Sequence, residues 1–207
     1  MSEIVFYTNP MSRGRIARWM LEEVGAPYRT VVLEYGADMK SPEYLAINPM
    51  GKVPTIVHGD AVVTECAAIC AYLADAFPEA GMAPPPTSPE RGAYYRWMFF
   101  GAGPLETAVV TKSFGFDVPD DPQARRRAGW GNFDTTVSTL GGLLSDGRSY
   151  LLGDSFSALD VYLGSQIAWG VQFGTLPALP GFEEYAARII ARPAAIRALE
   201  LDDPKSS

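Results

Sequence analysis

A stretch dense in proline, glycine and small residues, PEAGMAPPPTSPE, occupies residues 78–90 and separates two parts of the chain with different hydrophobic patterns. Such composition is typical of an exposed connection between separately packed units. Before it, apolar runs alternate with helical patterns, whereas after it only helical spacing recurs. We therefore predict a first domain over residues 1–80, a linker over 81–87 and a second domain over 88–207.

The first part of the chain predicts a small mixed sheet with helices packed on it. Glycine and proline at 25–27 stop its first helix, and Gly59-Asp60 suits the turn of a β-hairpin. The order βαβ followed by ββα indicates an α+β fold. The predicted elements are a strand at 3–7, a helix from about Ser12 to Val24, a strand at 28–34, a short helix opened by Ser41, a hairpin at 53–57 and 61–63, and a helix at 64–77.

The second part predicts an all-helical domain, because its apolar residues recur at helical spacing. Its sharpest local pattern is FSALDV, in which Ser157 can cap a helix and Asp160 can bond back to it. We interpret this pair as structural, since its polar groups satisfy one another. The predicted helices cover 91–114, 122–144, 159–169 and 182–199.

Composition excludes several classes of function. Of the 207 residues, 47% are hydrophobic and no apolar run reaches the length of a membrane span, so we expect a globular protein without a membrane partner. The net charge of −7 argues against nucleic acid, and the N-terminus lacks a signal-peptide pattern. Cys66 and Cys70 are the only cysteines and His58 is the only histidine, so we expect no disulfide framework, no metal and a reducing, cytoplasmic setting.

The segment NPMGKVPTIVHGDAVVTECAAICAYLADAFP, residues 48–78, resembles the glutathione-binding segment of the cytosolic glutathione S-transferases. The resemblance extends to YTNPMSRGRIARWMLEEVGAPY near the N-terminus, to the proline-rich linker and to the FSALD capping box. It implies a thioredoxin-like domain followed by a helical domain, glutathione as co-substrate and a homodimer.

The resemblance also implies where glutathione binds. The proline matching Pro54 is cis in the family, and the preceding residue, here Val53, would pair its backbone with the cysteinyl part of glutathione. Glu65 matches the acid or amide that approaches the γ-glutamyl ammonium. Cys66 replaces the usual serine, so backbone N–H groups at the helix start would hold more of the carboxylate. Lys40 and Lys52 are candidates for the glycyl carboxylate.

Tyr7 and Ser12 are the candidate activators of the glutathione thiol. A free thiol with a pKa near 8.5 is mostly protonated at neutral pH, and a hydroxyl that donates to the sulfur stabilises the thiolate. Some classes of the family use a tyrosine at the end of the first strand and others a serine at the start of the first helix. Both positions are occupied here, and Asn9 or Arg13 could also donate, so the sequence leaves the activator open.

An aromatic helix face, YYRWMFFGAGPLE at residues 94–106, is the candidate wall of an apolar electrophile site, and its Gly-x-Gly-Pro interruption should bend the helix. We expect Met11, Trp97 and Phe100 to line that site. The sequence thus predicts a transferase that conjugates glutathione to a hydrophobic electrophile. Two alternatives stay open, namely a glutathione-binding or protein-interaction module without turnover and a glutathione-dependent isomerase or dehalogenase.

Overall fold

The computed structural model describes residues 3–203, which form two compact units. One unit contains the chain up to Ala83 together with the chain from Ile190 onward, and the other contains Pro84–Ile189. We call them the first and second units. The change of unit after Ala83 lies within the proline-rich stretch.

A four-stranded mixed sheet forms the centre of the first unit. Its strands are β1 (Ile4–Thr8), β2 (Tyr28–Val32), β3 (Thr55–His58) and β4 (Ala61–Thr64), in the order β2-β1-β3-β4. β1 runs parallel to β2 and antiparallel to β3, so Tyr7 lies opposite both Val31 and Thr55. β3 and β4 form the predicted hairpin.

Helices pack on both faces of this sheet, because successive side chains of β1 point to opposite sides. On one face, the Arg18 guanidinium of α1 (Gly14–Val24) lies over the Phe6 ring. On the other face, the Tyr7 ring packs 5.4 Å from the ring of Tyr44 in α2 (Pro42–Leu45). α3 (Cys66–Ala76) packs beside α1. The βαβ and ββα order and the thioredoxin-like fold are confirmed.

The last helix, α10 (Pro193–Asp202), belongs to the first unit and packs along α1. The sequence instead predicts one helical domain over residues 88–207. The difference comes from ion pairs between residues far apart in the chain, the most buried of which joins Arg18 Nε to Asp202 Oδ1 at 2.7 Å. Further pairs between the described parts of the two segments include Arg15–Asp203, Glu22–Arg197 and Glu23–Arg192.

The second unit is helical, as expected. α4 (Pro89–Phe100) continues through a π-helical turn at Gly101–Leu105 into α5 (Glu106–Ser113), so the predicted bend coincides with a change of helix type. The predicted helix over 122–144 is two helices, because a turn with Gly131 at positive φ divides it. Likewise, Pro193 starts a new helix within 182–199. The remaining helices are α6 (Pro122–Arg127), α7 (Phe133–Leu144), α8 (Ala158–Phe173) and α9 (Phe182–Ile190).

The FSALDV pattern forms the predicted capping box at the start of α8. Asp160 is fully buried and accepts from the Ser157 N–H at 2.9 Å, while Ser157 Oγ accepts from the Leu159 N–H. Asp160 also accepts from the Leu151 N–H and the Tyr185 hydroxyl. All these contacts lie within the second unit, so this pair has the structural role that we inferred.

No helix formed by residues 3–203 combines the length and the apolar composition that a membrane crossing needs. Over the same residues, no group of three or more His, Cys, Asp or Glu side chains could hold a metal ion.

Candidate functional site

The connection from β1 to α1 is a turn held by its own polar groups. Asn9 is buried, and its side chain donates to the Leu33 carbonyl at 2.9 Å and accepts from the Met11 N–H at 2.9 Å. The Asn9 carbonyl accepts from both the N–H and the hydroxyl of Ser12, at 3.0 and 2.6 Å. This bonding holds Met11 and Ser12 at the end of the sheet, just before the helix.

Ser12 lies just before α1, which the sequence predicts to start at about that residue. The helix begins at Gly14, its N-cap is Arg13, and no side chain caps it. Instead, Ser12 Oγ accepts from the Gly14 N–H at 2.9 Å and donates to the Asn9 carbonyl. The hydroxyl is half-buried and beside the helix N-terminus, with its proton directed into the turn.

The start of α3 lies against the start of α1. The Cys66 thiol donates to the Arg13 carbonyl across 3.6 Å, so it links two segments that are far apart in sequence. Glu65 precedes the helix with φ of 66°, a left-handed conformation that is uncommon for a residue with a side chain, and its side chain is exposed. Neither helix has a side-chain cap or an acidic residue in its first turn. The first N–H groups of α3 and the positive dipole ends of both helices therefore suit an anion, whereas the Gly14, Arg15 and Ile16 N–H groups of α1 are already bonded within the turn.

Buried polar groups hold the segment that leads to β3. The Tyr44 hydroxyl and the Asn48 amide both donate to the Lys52 carbonyl, at 2.6 and 2.8 Å, and both contact Thr55 Oγ1. Burial raises the pKa of the Tyr44 phenol, which keeps it a donor. The Val53–Pro54 bond that follows is cis, as the resemblance implies. Within residues 3–203, no hydrogen bond uses the Val53 N–H or carbonyl.

The two candidate lysines differ in what they contact. Lys40 Nζ donates to the carbonyls of Met50 and Gly51, at 2.9 and 3.0 Å, so it supports the turn that precedes Val53. A third ammonium proton is left for a ligand. Lys52 is exposed, and only its carbonyl takes part in the hydrogen bonds described above.

Tyr7 lies on the opposite face of the sheet from the starts of α1 and α3. Its ring packs against Tyr44, and within the described part of the chain its hydroxyl has no hydrogen-bond partner. The two candidate activators are therefore separated: Ser12 belongs with the helix N-termini and Tyr7 with α2.

The three residues expected to line an electrophile site fall in different units. Met11 belongs to the first unit and is 82% exposed. Trp97 and Phe100 belong to the second unit, where Trp97 is buried and its ring packs 5.2 Å from that of Phe100. A cavity of about 410 Å³ in the second unit lies elsewhere, between α7 and residues 177–180.

Sequence reasoning missed several residues that shape the site. Thr8, Tyr44 and Asn48 carried no signal, because their roles depend on the packing of distant segments. Arg15 was also missed: it donates to the Pro10 carbonyl and pairs with Asp203.

Two family models match this chain. The model described as "Glutathione S-transferase, N-terminal domain" matches residues 11–76, and the model described as "Glutathione S-transferase, C-terminal domain" matches residues 123–188. Among curated proteins, the chain is similar to glutathione S-transferase GST-4.5 of Xanthomonas campestris pv. campestris. The two are 28% identical over 195 residues, which span 85% of this chain and 89% of that protein.

Solved structures agree with these matches. The theta class glutathione S-transferase from Xanthomonas axonopodis pv. citri, solved with glutathione bound, is 30% identical with a TM-score of 0.70, and 96% of this chain and 98% of that chain are covered. A sphingomonad glutathione S-transferase complexed with glutathione is 27% identical with a TM-score of 0.74, and 97% and 99% are covered. The chain therefore belongs to the glutathione S-transferase family and is of the bacterial type.

Proposed function

We propose that this protein is a glutathione transferase that binds glutathione on its first unit, stabilises the thiolate and conjugates it to a hydrophobic electrophile. The observation that carries the proposal is the meeting of two uncapped helix starts, where the Cys66 thiol contacts the Arg13 carbonyl. The first N–H groups of α3 and the positive dipole ends of both helices at one place favour a ligand that carries more than one negative group. Glutathione has such groups in its carboxylates and its thiolate.

The same geometry supports a proposed placement of glutathione. The backbone of Val53 would pair with the cysteinyl residue, since its N–H and carbonyl are unused within the described chain. The N–H groups at the start of α3 would hold the γ-glutamyl carboxylate, and the exposed Glu65 would meet the ammonium. Lys40 and Lys52 would meet the glycyl carboxylate.

Ser12 is the proposed activator of the thiol. Its hydroxyl lies beside the α1 N-terminus, whereas Tyr7 packs on the opposite face of the sheet. A donor to the sulfur and a helix dipole act in the same direction on the thiol pKa. Lowering that pKa by about two units corresponds to about 2.7 kcal/mol, which one charge-assisted hydrogen bond and a dipole can supply.

The electrophile is proposed to be apolar and to contact Met11, Trp97 and Phe100. The 82% exposure of Met11, next to Ser12, supports an apolar contact near the sulfur. We further propose a cytoplasmic homodimer. The two cysteines of the chain are free and buried, which supports a reducing compartment. Sedimentation analysis of the purified chain tests the dimer.

The deciding experiment is an ultraviolet titration of the glutathione thiolate on the protein. It compares the wild type with Ser12→Ala and Tyr7→Phe, uses S-methylglutathione as the spectral blank and includes Ser113→Ala, an exposed serine of the second unit, as control. We expect a lowered thiol pKa in the wild type, Tyr7→Phe and the control, and a value near that of free glutathione in Ser12→Ala. An unshifted thiol in the wild type would refute the proposal.

A second candidate is a glutathione-binding module without turnover. One observation favours it: the Ser12 proton is donated to the Asn9 carbonyl at 2.6 Å and not toward the surface. The replacement of serine by Cys66 acts in the same direction, because a thiol is a weak donor. Incubation with glutathione and an aryl halide separates the two candidates, since only a transferase forms conjugate faster than the uncatalysed reaction.

A further inference from the structure

Thr8 carries a buried hydroxyl for which the fold provides no hydrogen bond. It is the last residue of β1, it is 0% exposed, and within residues 3–203 its Oγ1 has no hydrogen-bond partner. A buried hydroxyl without a partner costs free energy, and a valine of the same shape would avoid that cost. Such a group indicates a role that this state of the molecule does not use.

The hydroxyl lies at the start of α1, next to Ser12. A Cβ placed on Gly14 would lie 1.9 Å from Thr8 Oγ1 and 2.9 Å from Ser12 Oγ. The two hydroxyl oxygens therefore approach the same point of the backbone, and only glycine leaves them room. Thr8 shares its face of the sheet with Phe6, which is the face that α1 covers.

The Ser12 hydroxyl can change its partner at little cost. In this structure it donates to the Asn9 carbonyl, which also accepts the Ser12 N–H at 3.0 Å. When the hydroxyl turns away, that carbonyl keeps the N–H. Ser12 Oγ keeps the Gly14 N–H as a donor and has a second lone pair for another one.

We propose that Thr8 is a positioning residue: the two oxygens lie close together but are not hydrogen-bonded here, and the Thr8 hydroxyl donates to Ser12 Oγ once the Ser12 side chain shifts as its proton turns from the Asn9 carbonyl to the glutathione sulfur. This inference rests on the function proposed above, with Ser12 as the activator. An oxygen that accepts two hydrogen bonds is a stronger donor through its own proton, so the chain from Thr8 through Ser12 stabilises the thiolate more than Ser12 alone. It also gives the buried hydroxyl its missing partner.

The test is the ultraviolet titration of bound glutathione in Thr8→Val, Thr8→Ser and the double variant Thr8→Val/Ser12→Ala. We expect Thr8→Val to raise the bound thiol pKa by about half a unit or more, and Thr8→Ser to keep the wild-type value. In the Ser12→Ala background, Thr8→Val should add nothing, because Thr8 acts through Ser12. If Thr8→Val does not fold, Thr8→Ala replaces it in the same comparison.

Thr139→Val is the control, since its hydroxyl bonds only the Thr135 carbonyl within α7. A wild-type-like pKa in Thr8→Val, a raised pKa in Thr8→Ser or an equal further rise in the double variant would each overturn the role of Thr8. These outcomes leave the proposed function intact if the wild-type thiol is shifted. An unshifted wild-type thiol would instead overturn the proposed function and this inference with it.

Discussion

The two helices α1 and α8 end alike but start differently. Each follows a serine by one or two residues and stops at a glycine in the left-handed conformation, Gly25 and Gly174. At the start of α8, Ser157 is buried and Asp160 returns its hydrogen bonds. At the start of α1, Ser12 is half-buried and no acidic residue lies in the first turn.

This difference separates a structural helix start from one that can receive a ligand. At the start of α8, the hydrogen-bond donors and acceptors of the capping box satisfy one another, so they are not available to bind a ligand. In α1, the first turn instead carries Arg15, a cation at the positive end of the helix dipole. Asp203 of the C-terminal segment offsets that charge through an ion pair of 2.5 Å. The Gly14, Arg15 and Ile16 N–H groups are bonded to Ser12 and Arg13, so α1 acts on an anion through its positive dipole end and the Ser12 hydroxyl.

The largest effect is expected at the start of α8, where the polar groups satisfy one another. Asp160→Ala removes the acceptor of the Leu151 N–H, the Ser157 N–H and the Tyr185 hydroxyl, all of which are buried. Because each unpaired buried donor costs about 1–3 kcal/mol, we expect the free energy of unfolding to fall by at least about 3 kcal/mol. Urea denaturation measures it. Asp154→Ala, an exposed carboxylate in the preceding loop, should change little, and equal losses in both variants would contradict the prediction.

A smaller effect is expected at the start of α1, where Gly14→Ala would place a Cβ 1.9 Å from Thr8 Oγ1. The resulting shift should cost about 1–3 kcal/mol of unfolding free energy. Gly92→Ala in α4 is the matched control, since its Cβ would meet nothing within 4 Å and should stabilise the helix by up to about 1 kcal/mol. In a Thr8→Ala background, the cost of Gly14→Ala should fall. An unchanged cost there would show that the two residues do not interact.

The two serines sharpen the comparison further. Ser157→Ala should cost about 1–2 kcal/mol of unfolding free energy, because the Ser157 hydroxyl is buried and caps α8. Ser12→Ala should cost less, about 1 kcal/mol, since Ser12 is only half-buried and its substitution removes a single acceptor, that of the Gly14 N–H. Urea denaturation of both variants measures the difference. A larger loss for Ser12→Ala would mean that Ser12 is chiefly structural.

The smallest effect concerns the ion pair in which Asp203 offsets the charge of Arg15 in the first turn of α1. The Arg15 guanidinium lowers the pKa of the exposed Asp203 carboxyl. A lowered folded-state pKa contributes stability at pH values above the unfolded pKa, and that contribution is lost as the pH falls through the folded pKa. We therefore expect Asp203→Asn to weaken the pH dependence of unfolding on the acid side and to act less at high salt. Thermal unfolding at a series of acidic pH values tests this, and a variant that follows the wild type at every pH would contradict it.

Local patterns in the sequence were sufficient for the strands and helices of the first part of the chain and for the helical class of the second, although not for the helix breaks at Gly131 and Pro193. The capping box of Ser157 and Asp160, the hairpin turn at Gly59-Asp60 and the helix stop at Gly25 all depend on residues within three or four positions of each other. Hydrogen bonds over such spacings are encoded in neighbouring residues, so they can be read from the sequence. The resemblance of residues 48–78 added the glutathione-binding segment and the cis bond before Pro54.

By itself, then, the sequence determined the two kinds of domain, the strand and helix order and the family. Only the tertiary structure decided that α10 joins the first unit, that Tyr7 and Ser12 lie on different sides of the sheet, and that the Cys66 thiol meets the Arg13 carbonyl. It also decided that Thr8 is buried against Gly14. The physical reason is the same in each case: these contacts join segments that are adjacent only after packing, and no spacing along the chain encodes them.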